Sequence, residues 1–338
     1  MQRWWARGGW FAPAFVAVVV TRWRYLFTPI TADEGGYLAV ARAWGRGKVL
    51  YRDVWVDRPQ GLVLLFRIWN DIGLGSPVGV RLLAAVACLA GAAAAGCVAQ
   101  RLVGRRAAWP AALAVALLAG IPQSEGFIAN AELLSSAMGV VALAALLRAF
   151  WGRDRPSLWG LVGAGALAMV ALSIKQSGFD AFAAGLVLLV VACLGKRWDR
   201  RERLLAVPAV AAGAALPLAA MMLHGAVTGW HRWWYAFAGY RLDQRSALKN
   251  ADWERYHQTA QLIMPKLWPA VALCALAGLW AVRRHQARAA LLLALWGLLA
   301  IGAFLLGGQF FRHYWVIVAF PLGTMCGALV SQIGRAHV

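Results

Sequence analysis

The sequence predicts an all-α, polytopic membrane protein, on three observations. Hydrophobic residues fill 62% of its 338 positions and charged residues 14%, and mean hydropathy is positive, a composition outside the ordinary soluble range. Apolar runs recur at 11–27, 80–100, 107–121, 133–150, 158–174, 178–194, 204–223, 267–282, 289–306 and 314–333, which gives about ten transmembrane helices. The remaining charges are sorted by side, as short cytoplasmic loops collecting Lys and Arg would sort them.

That sorting fixes an orientation. Arg3 and Arg7, Arg101 to Arg106, Arg153 and Arg155, Lys196 to Arg203, and Arg283 to Arg288 fall on alternate connections and belong inside. The intervening segments face outside, toward the periplasm or exterior, and hold Asp33, Glu34, Asp53, Asp57, Asp71, Glu125, Glu132, Asp180, Asp243, Asp252 and Glu254. Only Asp154, Asp199 and Glu202 are left for the cytoplasmic side. Basic residues do not avoid the outer loops, so the asymmetry lies in the acids. The run at 107–121 is short for a perpendicular span of roughly 20 residues and is the weakest crossing.

Each element has its own signal. The first run is followed by Phe27-Thr-Pro-Ile30 with no small-residue cleavage site, so it reads as a retained anchor. Residues 28–79 form the first long outer segment. There Thr31 and Glu34 make a capping-box pattern that starts a helix. Tyr37, Val40, Ala41 and Trp44 give that helix one apolar face along the membrane surface, until Gly45 and Gly47 end it. Residues 61–75 resemble a span, but Arg67, Asn70 and Asp71 interrupt them, and a crossing there would invert every later loop; they read as a second interfacial helix. The other long outer segment, 224–266, contains Trp230-His-Arg-Trp-Trp-Tyr235, the aromatic and basic mixture of a membrane interface. No repeat of 20 to 50 residues divides the chain, so 1–338 is read as one domain.

Several function classes drop out. The net charge of +20 is split among short loops and forms no continuous basic face, so anionic membrane lipids, not nucleic acid, are the expected partner. Cys88, Cys97, Cys193, Cys274 and Cys326 all lie in apolar runs without metal-ligand spacing and read as small core residues. There is no phosphate-cradling glycine loop, zinc helix or nucleophile elbow, and neither a cofactor nor a required divalent metal is expected.

The candidate chemistry gathers outside. Four of the fourteen acidic residues lie between Thr31 and Gly61, where carboxylates beside a bilayer are costly. Asp33 and Glu34 diverge by roughly 100° on a helix and cannot face each other as an acid and base pair. The capping box occupies Glu34, so Asp33 is the freer carboxylate and the candidate general base, although acids also favour a first helical turn for dipole reasons alone. Asp57-Arg58-Pro59-Gln60-Gly61 sets a guanidinium fork at the membrane edge that can grip phosphate, or simply pair with Asp57. Lys175-Gln176 closes one span on the same side, where the lysine can equally snorkel to water. Arg312-His313-Tyr314 opens the last helix with a cation, an imidazole and an aromatic ring. Glu132 is expected to pair with one of these outer cations.

In combination, Asp33-Glu34-Gly-Gly-Tyr37, Gly47-Lys-Val-Leu-Tyr51-Arg-Asp53, Asp57-Arg58-Pro59-Gln60-Gly61, Gly75-Ser76 with Arg81, Asn130-Ala-Glu132, Lys175-Gln176 and His313-Tyr314 resemble the GT-C superfamily of membrane glycosyltransferases. The resemblance is to the branch with protein O-mannosyltransferases and the lipid A aminoarabinose transferase. It implies an inverting glycosyltransferase of the inner or plasma membrane that uses a polyprenyl-phosphate-linked sugar donor on the extracytoplasmic face. Asp33, with Glu34 beside it, would be catalytic; Asp57, Arg58, Glu132, Lys175, Gln176, Arg312, His313 and Tyr314 would bind substrate. The acceptor, whether lipid, glycan or protein, and the sugar stay open. The chain is short for that family, and Gln60 stands where a second proline is common. The alternatives are a transporter or flippase, which should carry ionisable residues near the middle of its spans, and an inactive scaffold of the same fold.

Overall fold

The structure is a computed structural model that describes residues 9–195, 197–246, 250–283 and 287–333. Arg3, Arg7, Lys196 and Arg284, expected inside, lie outside the described residues. The helices are α1 Ala12–Arg22, α2 Ala32–Gly45, α3 Gln60–Trp69, α4 Pro77–Val103, α5 Ala108–Leu118, α6 Ala131–Phe150, α7 Leu158–Ile174, α8 Asp180–Leu194, α9 Arg200–Thr228, α10 Trp230–Trp234, α11 Tyr240–Ser246, α12 Asn250–Arg283, α13 Ala287–Gly307 and α14 Trp315–Ile333. Each of the ten apolar runs coincides with one of them, and among the described residues there is no β-sheet, only an isolated bridge between Leu50 and Val54.

Five helical stretches are long and apolar enough to cross a membrane: Pro77–Val103, Ala131–Phe150, Gln176–Leu194, Arg200–Thr228 and Arg288–Gly307. The chain is therefore an integral membrane protein. Ten full crossings do not follow, because α1 and α5 have 11 residues each, about 16 Å of helix against a hydrocarbon core of about 30 Å. Helix α5 is instead packed between α4 and α14.

Helix α6 is the centre of the bundle and touches α4, α7, α8 and α14. Close approach is made possible by small residues, as expected where lipid competes for apolar contact. A Cβ on Gly139 of α6 would strike the Gly178 carbonyl, and one on Gly165 of α7 or Gly213 of α9 would strike the partner helix's backbone. One cysteine departs from the core reading: Cys97 is exposed on α4, whereas Cys88 and Cys326 are buried.

The two ends of the bundle differ. At one, the connections before α7 and before α9 meet: Arg197 pairs with Asp154 at 2.9 Å, Arg155 with Glu202 at 3.4 Å, and Trp198 stacks edge-on to Phe150. At the other, α2 and α3 form a two-helix layer. The Thr31 side chain caps α2 reciprocally with Glu34, and the helix stops at Gly45, with Gly47 at φ 91°. Tyr37, Leu38 and Ala41 face inward, and the Tyr37 ring meets Phe66 of α3. Beyond α3 the chain passes through a π turn, Asn70–Leu74, with Gly73 at φ 88°, so the polar residues that break the apolar run mark a change of helix type. Helix α3 is pinned at its start because Gly61 lies directly against Ser173 at the end of α7.

Helix α10, in the second long connection, packs on this layer. Trp233 of α10 donates its indole N–H to Gln60 at 3.0 Å, and Gln60 in turn donates to the Met221 carbonyl of α9 at 3.1 Å. Gln60 thus ties α3 to α9 and α10 through one acceptor and one donor on the same amide.

Candidate active site

The N-terminal turn of α2 carries two adjacent carboxylates with different surroundings. Glu34 is fully buried. Its Oε1 accepts from Arg81 Nη1 at 3.1 Å and from the Ala129 amide at 2.9 Å, and its Oε2 from the Thr31 amide at 2.9 Å and Thr31 Oγ1 at 3.2 Å. Arg81 also donates to the Pro29 carbonyl at 2.8 Å and covers the Phe127 ring. Four donors fill the lone pairs of a carboxylate, so Glu34 locks α2, α4 and the loop before α6 together. Asp33 is half-buried, and among the described residues it makes no hydrogen bond or ion pair. One turn along, burial raises the Tyr37 pKa above the ordinary phenol value, the Arg58 guanidinium opposes the rise, and the charges of Asp33, Glu132 and Asp57 add to it. Tyr37 therefore sits in the field of both the acids and the arginine.

Arg58 is 7% exposed. It pairs with Asp57, donates to the Asp57 carbonyl at 2.9 Å, and lies 5.9 Å from the Tyr37 ring centre. Burial works against its charge, but Tyr37, Asp57, Glu132 and Tyr314 outweigh that and hold its pKa above the usual guanidinium value. The Arg58 Nε has no hydrogen-bond partner among the described residues. The loop is fixed by Tyr51, a non-glycine residue at φ 69° whose hydroxyl donates to the Arg58 carbonyl at 2.8 Å. Asp57 accepts a second arginine, Arg241 of α11, at 2.6 Å, and Arg241 reaches Gln309 at 3.0 Å.

From the bundle side, Asn130 caps α6 by accepting the Leu133 amide at 2.7 Å and so places Glu132 in the first turn. Glu132, 1% exposed, pairs with Lys175 and lies 3.8 Å from His313 Nε2. The Lys175 ammonium is 4.4 Å from the Tyr314 ring centre, a cation–π arrangement. His313 turns its Nδ1 to Glu125 at 3.1 Å.

Asp33, Asp57, Arg58, Glu132, Lys175, His313 and Tyr314, separated by up to 281 positions in sequence, are thus gathered at one end of the bundle. Gln176 donates to the Phe237 carbonyl and lines the same cavity as Lys175 and Tyr314, whereas Arg312 lines a different pocket, with Glu125. Arg241 was missed in the sequence because nothing distinguishes it from the other interfacial arginines until its contact with Asp57 is seen.

A cavity of about 480 Å³ opens beside this group, within the range of small-molecule pockets, about 300–1,000 Å³. Lys175, Arg241 and Tyr314 stand on its wall, and Leu298, Leu299, Ala303 and Leu306 of α13 line its apolar side. It joins fixed cations to a hydrocarbon-lined groove.

Neither a family model nor a curated protein matches the chain by sequence. Solved structures do. ArnT from Cupriavidus metallidurans, bound to undecaprenyl phosphate, superimposes with a TM-score of 0.66 at 19% identity over 97% of this chain and 62% of that one. The chain has a GT-C-like fold. Two structures of the Archaeoglobus fulgidus oligosaccharyltransferase match over 97% of this chain. One, with zinc and sulfate, has a TM-score of 0.57 at 14% identity over 49% of its own length. The other, AglB with an inhibitory peptide and a dolichol-phosphate, has a TM-score of 0.55 at 15% identity over 50%. This GT-C-like chain spans less than two thirds of the length of each.

Proposed function

We propose that this protein is an inverting glycosyltransferase that moves a sugar from a polyprenyl-phosphate donor to an acceptor hydroxyl on the extracytoplasmic face of the inner or plasma membrane, working as one catalytic unit. The observation that carries the reading is an unpaired carboxylate, Asp33, at the same end of the bundle as the buried cations Arg58 and Lys175, beside an apolar groove. The undecaprenyl phosphate and dolichol-phosphate bound by the structural neighbours support the same donor class.

Asp33 takes the proton of the acceptor hydroxyl. The oxygen attacks the anomeric carbon opposite the phosphate, and the bond from that carbon to the phosphate oxygen breaks with its electron pair leaving on the phosphate. No acid is needed for that leaving group, but its charge must be held, by Arg58, Lys175 and Arg241. The prenyl chain lies in the groove along Leu298, Leu299 and Leu306. Glu34 positions Asp33 by fixing the turn that carries it.

Asn in place of Asp33 keeps the size and removes the base. Transfer of labelled sugar from a polyprenyl-phosphate donor should fall about 10²- to 10⁴-fold, with the unfolding midpoint unchanged; undiminished transfer ends the assignment. The rival reading, a transporter or flippase, has one observation in its favour. Asp180, in the first turn of α8 near the start of the stretch Gln176–Leu194, is buried and accepts the Trp296 indole N–H at 3.1 Å. Movement of a fluorescent polyprenyl phosphate across proteoliposomes, lost in Asp180→Asn and kept in Asp33→Asn, would favour that rival.

A further inference from the structure

Helices α12 and α14 bring two of the five cysteines together. Cys274 Sγ and Cys326 Sγ, 52 positions apart in sequence, are 3.5 Å from each other, and either thiol can donate to the other. Cys326 also points at the Ala270 carbonyl, 3.4 Å away, and Cys274 at the Leu322 carbonyl, 3.6 Å away, so each sulfur is turned toward the opposite helix. Bonded sulfurs stand about 2.05 Å apart, so joining these two takes a shift of about 1.5 Å, within the reach of side-chain rotation. The thiols differ in access: Cys326 is buried and Cys274 half-buried. Cys88, Cys97 and Cys193 have no second thiol in contact among the described residues.

The seam between the two helices continues to the active-site end. Arg255 of α12 donates to the Gln309 carbonyl at 2.7 Å, Thr259 donates to the Phe310 carbonyl at 3.4 Å, and the Tyr256 ring stacks on Trp315 of α14. The Gln309 side chain accepts Arg241 of α11, which holds Asp57, the partner of Arg58. Arg241 and Leu242 also stand on the wall of the 480 Å³ cavity. Helices α11 and α12 thus form a strap that supplies part of the groove wall and is fastened to α14 and the turn before it. Helix α14 is the fixed side, because its Gly323 and Gly327 lie directly against Val115 and Ala111 of α5. The strap joins α10 through the π turn Tyr235–Gly239, a helix type that recurs at functional sites. Between its fastened end and Cys274, Pro265 and Pro269 remove two donors from the α12 ladder.

We infer that Cys274 and Cys326 form an oxidative modification site, a dithiol that an uncharged hypohalous acid converts to a disulfide, and that the bond latches the strap on α14. Leu267, Val318 and Leu322 make the seam apolar, which excludes charged oxidants. Cys274, the accessible thiol, takes the halogen of hypochlorous acid: an S–Cl bond forms, the Cl–O bond breaks, and the thiol proton leaves on the oxygen as water. The Cys326 sulfur then attacks the Cys274 sulfur, chloride leaves with the S–Cl electron pair, and the Cys326 proton goes to solvent. Each sulfur gives up one electron and chlorine receives two. With the thiols joined, α12 can leave α14 only by bending at the two prolines, so exchange of whatever occupies the groove slows. That occupant is a polyprenyl phosphate on the glycosyltransferase reading; the cross-link itself does not rest on that reading.

The test treats the full-length purified protein in detergent with equimolar hypochlorous acid, blocks the remaining thiols, and reads the unreduced peptides by mass spectrometry. A Cys274–Cys326 cross-linked pair should appear and be lost in dithiothreitol. Amide hydrogen exchange over 250–264 should slow on oxidation. Fluorescent undecaprenyl phosphate should exchange about 10-fold more slowly, a rise of about 1.4 kcal/mol in the opening barrier. Dithiothreitol should restore both rates, and Cys274→Ser treated alike should show neither change. Absence of the cross-linked pair while Cys97, exposed on α4, is oxidised overturns the site. A cross-link that leaves amide or lipid exchange unchanged, or slowing that Cys274→Ser shares, overturns the latch. Slowed amide exchange in a protein whose reduced form does not bind undecaprenyl phosphate at all would keep the latch and remove the donor reading.

Discussion

Two buried carboxylate–cation pairs, Glu34–Arg81 and Glu132–Lys175, stand at the same end of the bundle in opposite surroundings. Around Glu34 four donors leave no lone pair free, and nothing separates the pair from packed protein. Glu132 receives its partners on Oε1, whereas no hydrogen bond reaches its Oε2 among the described residues, and Lys175 stands on a cavity wall. The same two charges thus serve as a joint in one place and as an open valence in the other. A buried pair costs desolvation that only further hydrogen bonds offset, so a pair left with unused capacity beside a cavity is one that a ligand can complete.

The comparison can be broken most decisively at the closed pair. Glu34→Gln leaves Arg81 buried without its counter-charge and should cost about 3–5 kcal/mol of stability, read as a lower denaturation midpoint in detergent. Adding Arg81→Met should restore part of it, because the unpaired charge is gone. If Glu34→Gln unfolds like the parent but loses transfer, Glu34 belongs to the chemistry and the distinction fails.

At the open pair the loss should appear in binding. Lys175→Gln removes a charge-assisted contact of about 1.5–3 kcal/mol, so the half-saturating concentration of polyprenyl-phosphate donor should rise about 10- to 100-fold. The denaturation midpoint should move less than in Glu34→Gln. Equal shifts in midpoint for the two variants would show that both pairs are joints.

A control outside both pairs gives the smallest effect. Asp53 is held at about 2 by its hydrogen bond from Arg52, helped by the Val49 amide, in an exposed loop. A lowered carboxylate value means that its contribution is complete above the ordinary Asp value, about 3.9, and is lost as pH falls toward 2. Exposed pairs of this kind contribute little, so Asp53→Asn should leave the denaturation midpoint unchanged between pH 5 and 8. A clear shift there would mean that surface pairing, too, holds this end of the molecule.

Much of this end was legible in the chain. The Thr31 and Glu34 capping box is a local pattern, and it formed as spacing required. Glu132 called for a cation because an unpaired acid at the start of an apolar span is costly, and Lys175 supplies it. Arg58 with Asp57 was readable as adjacent residues, but the second arginine on Asp57, Arg241, was not. Grouping Arg312 with His313 assigned both to one site, whereas the 3₁₀ turn that carries them sends the imidazole toward Glu132 and leaves Arg312 on the other pocket.

Apolar length, caps and the distribution of acids between apolar runs are properties of short stretches, so the sequence by itself determined a helical membrane bundle with eleven of its fourteen carboxylates on alternate connections. Which carboxylate is saturated and which is free was decided only by the tertiary structure. That outcome depends on donors such as the Ala129 amide, 95 positions from Glu34, and on Arg241, 184 positions from Asp57. Hydrogen bonds act over about 3 Å, and no pattern along the chain records which distant groups packing will bring within that reach.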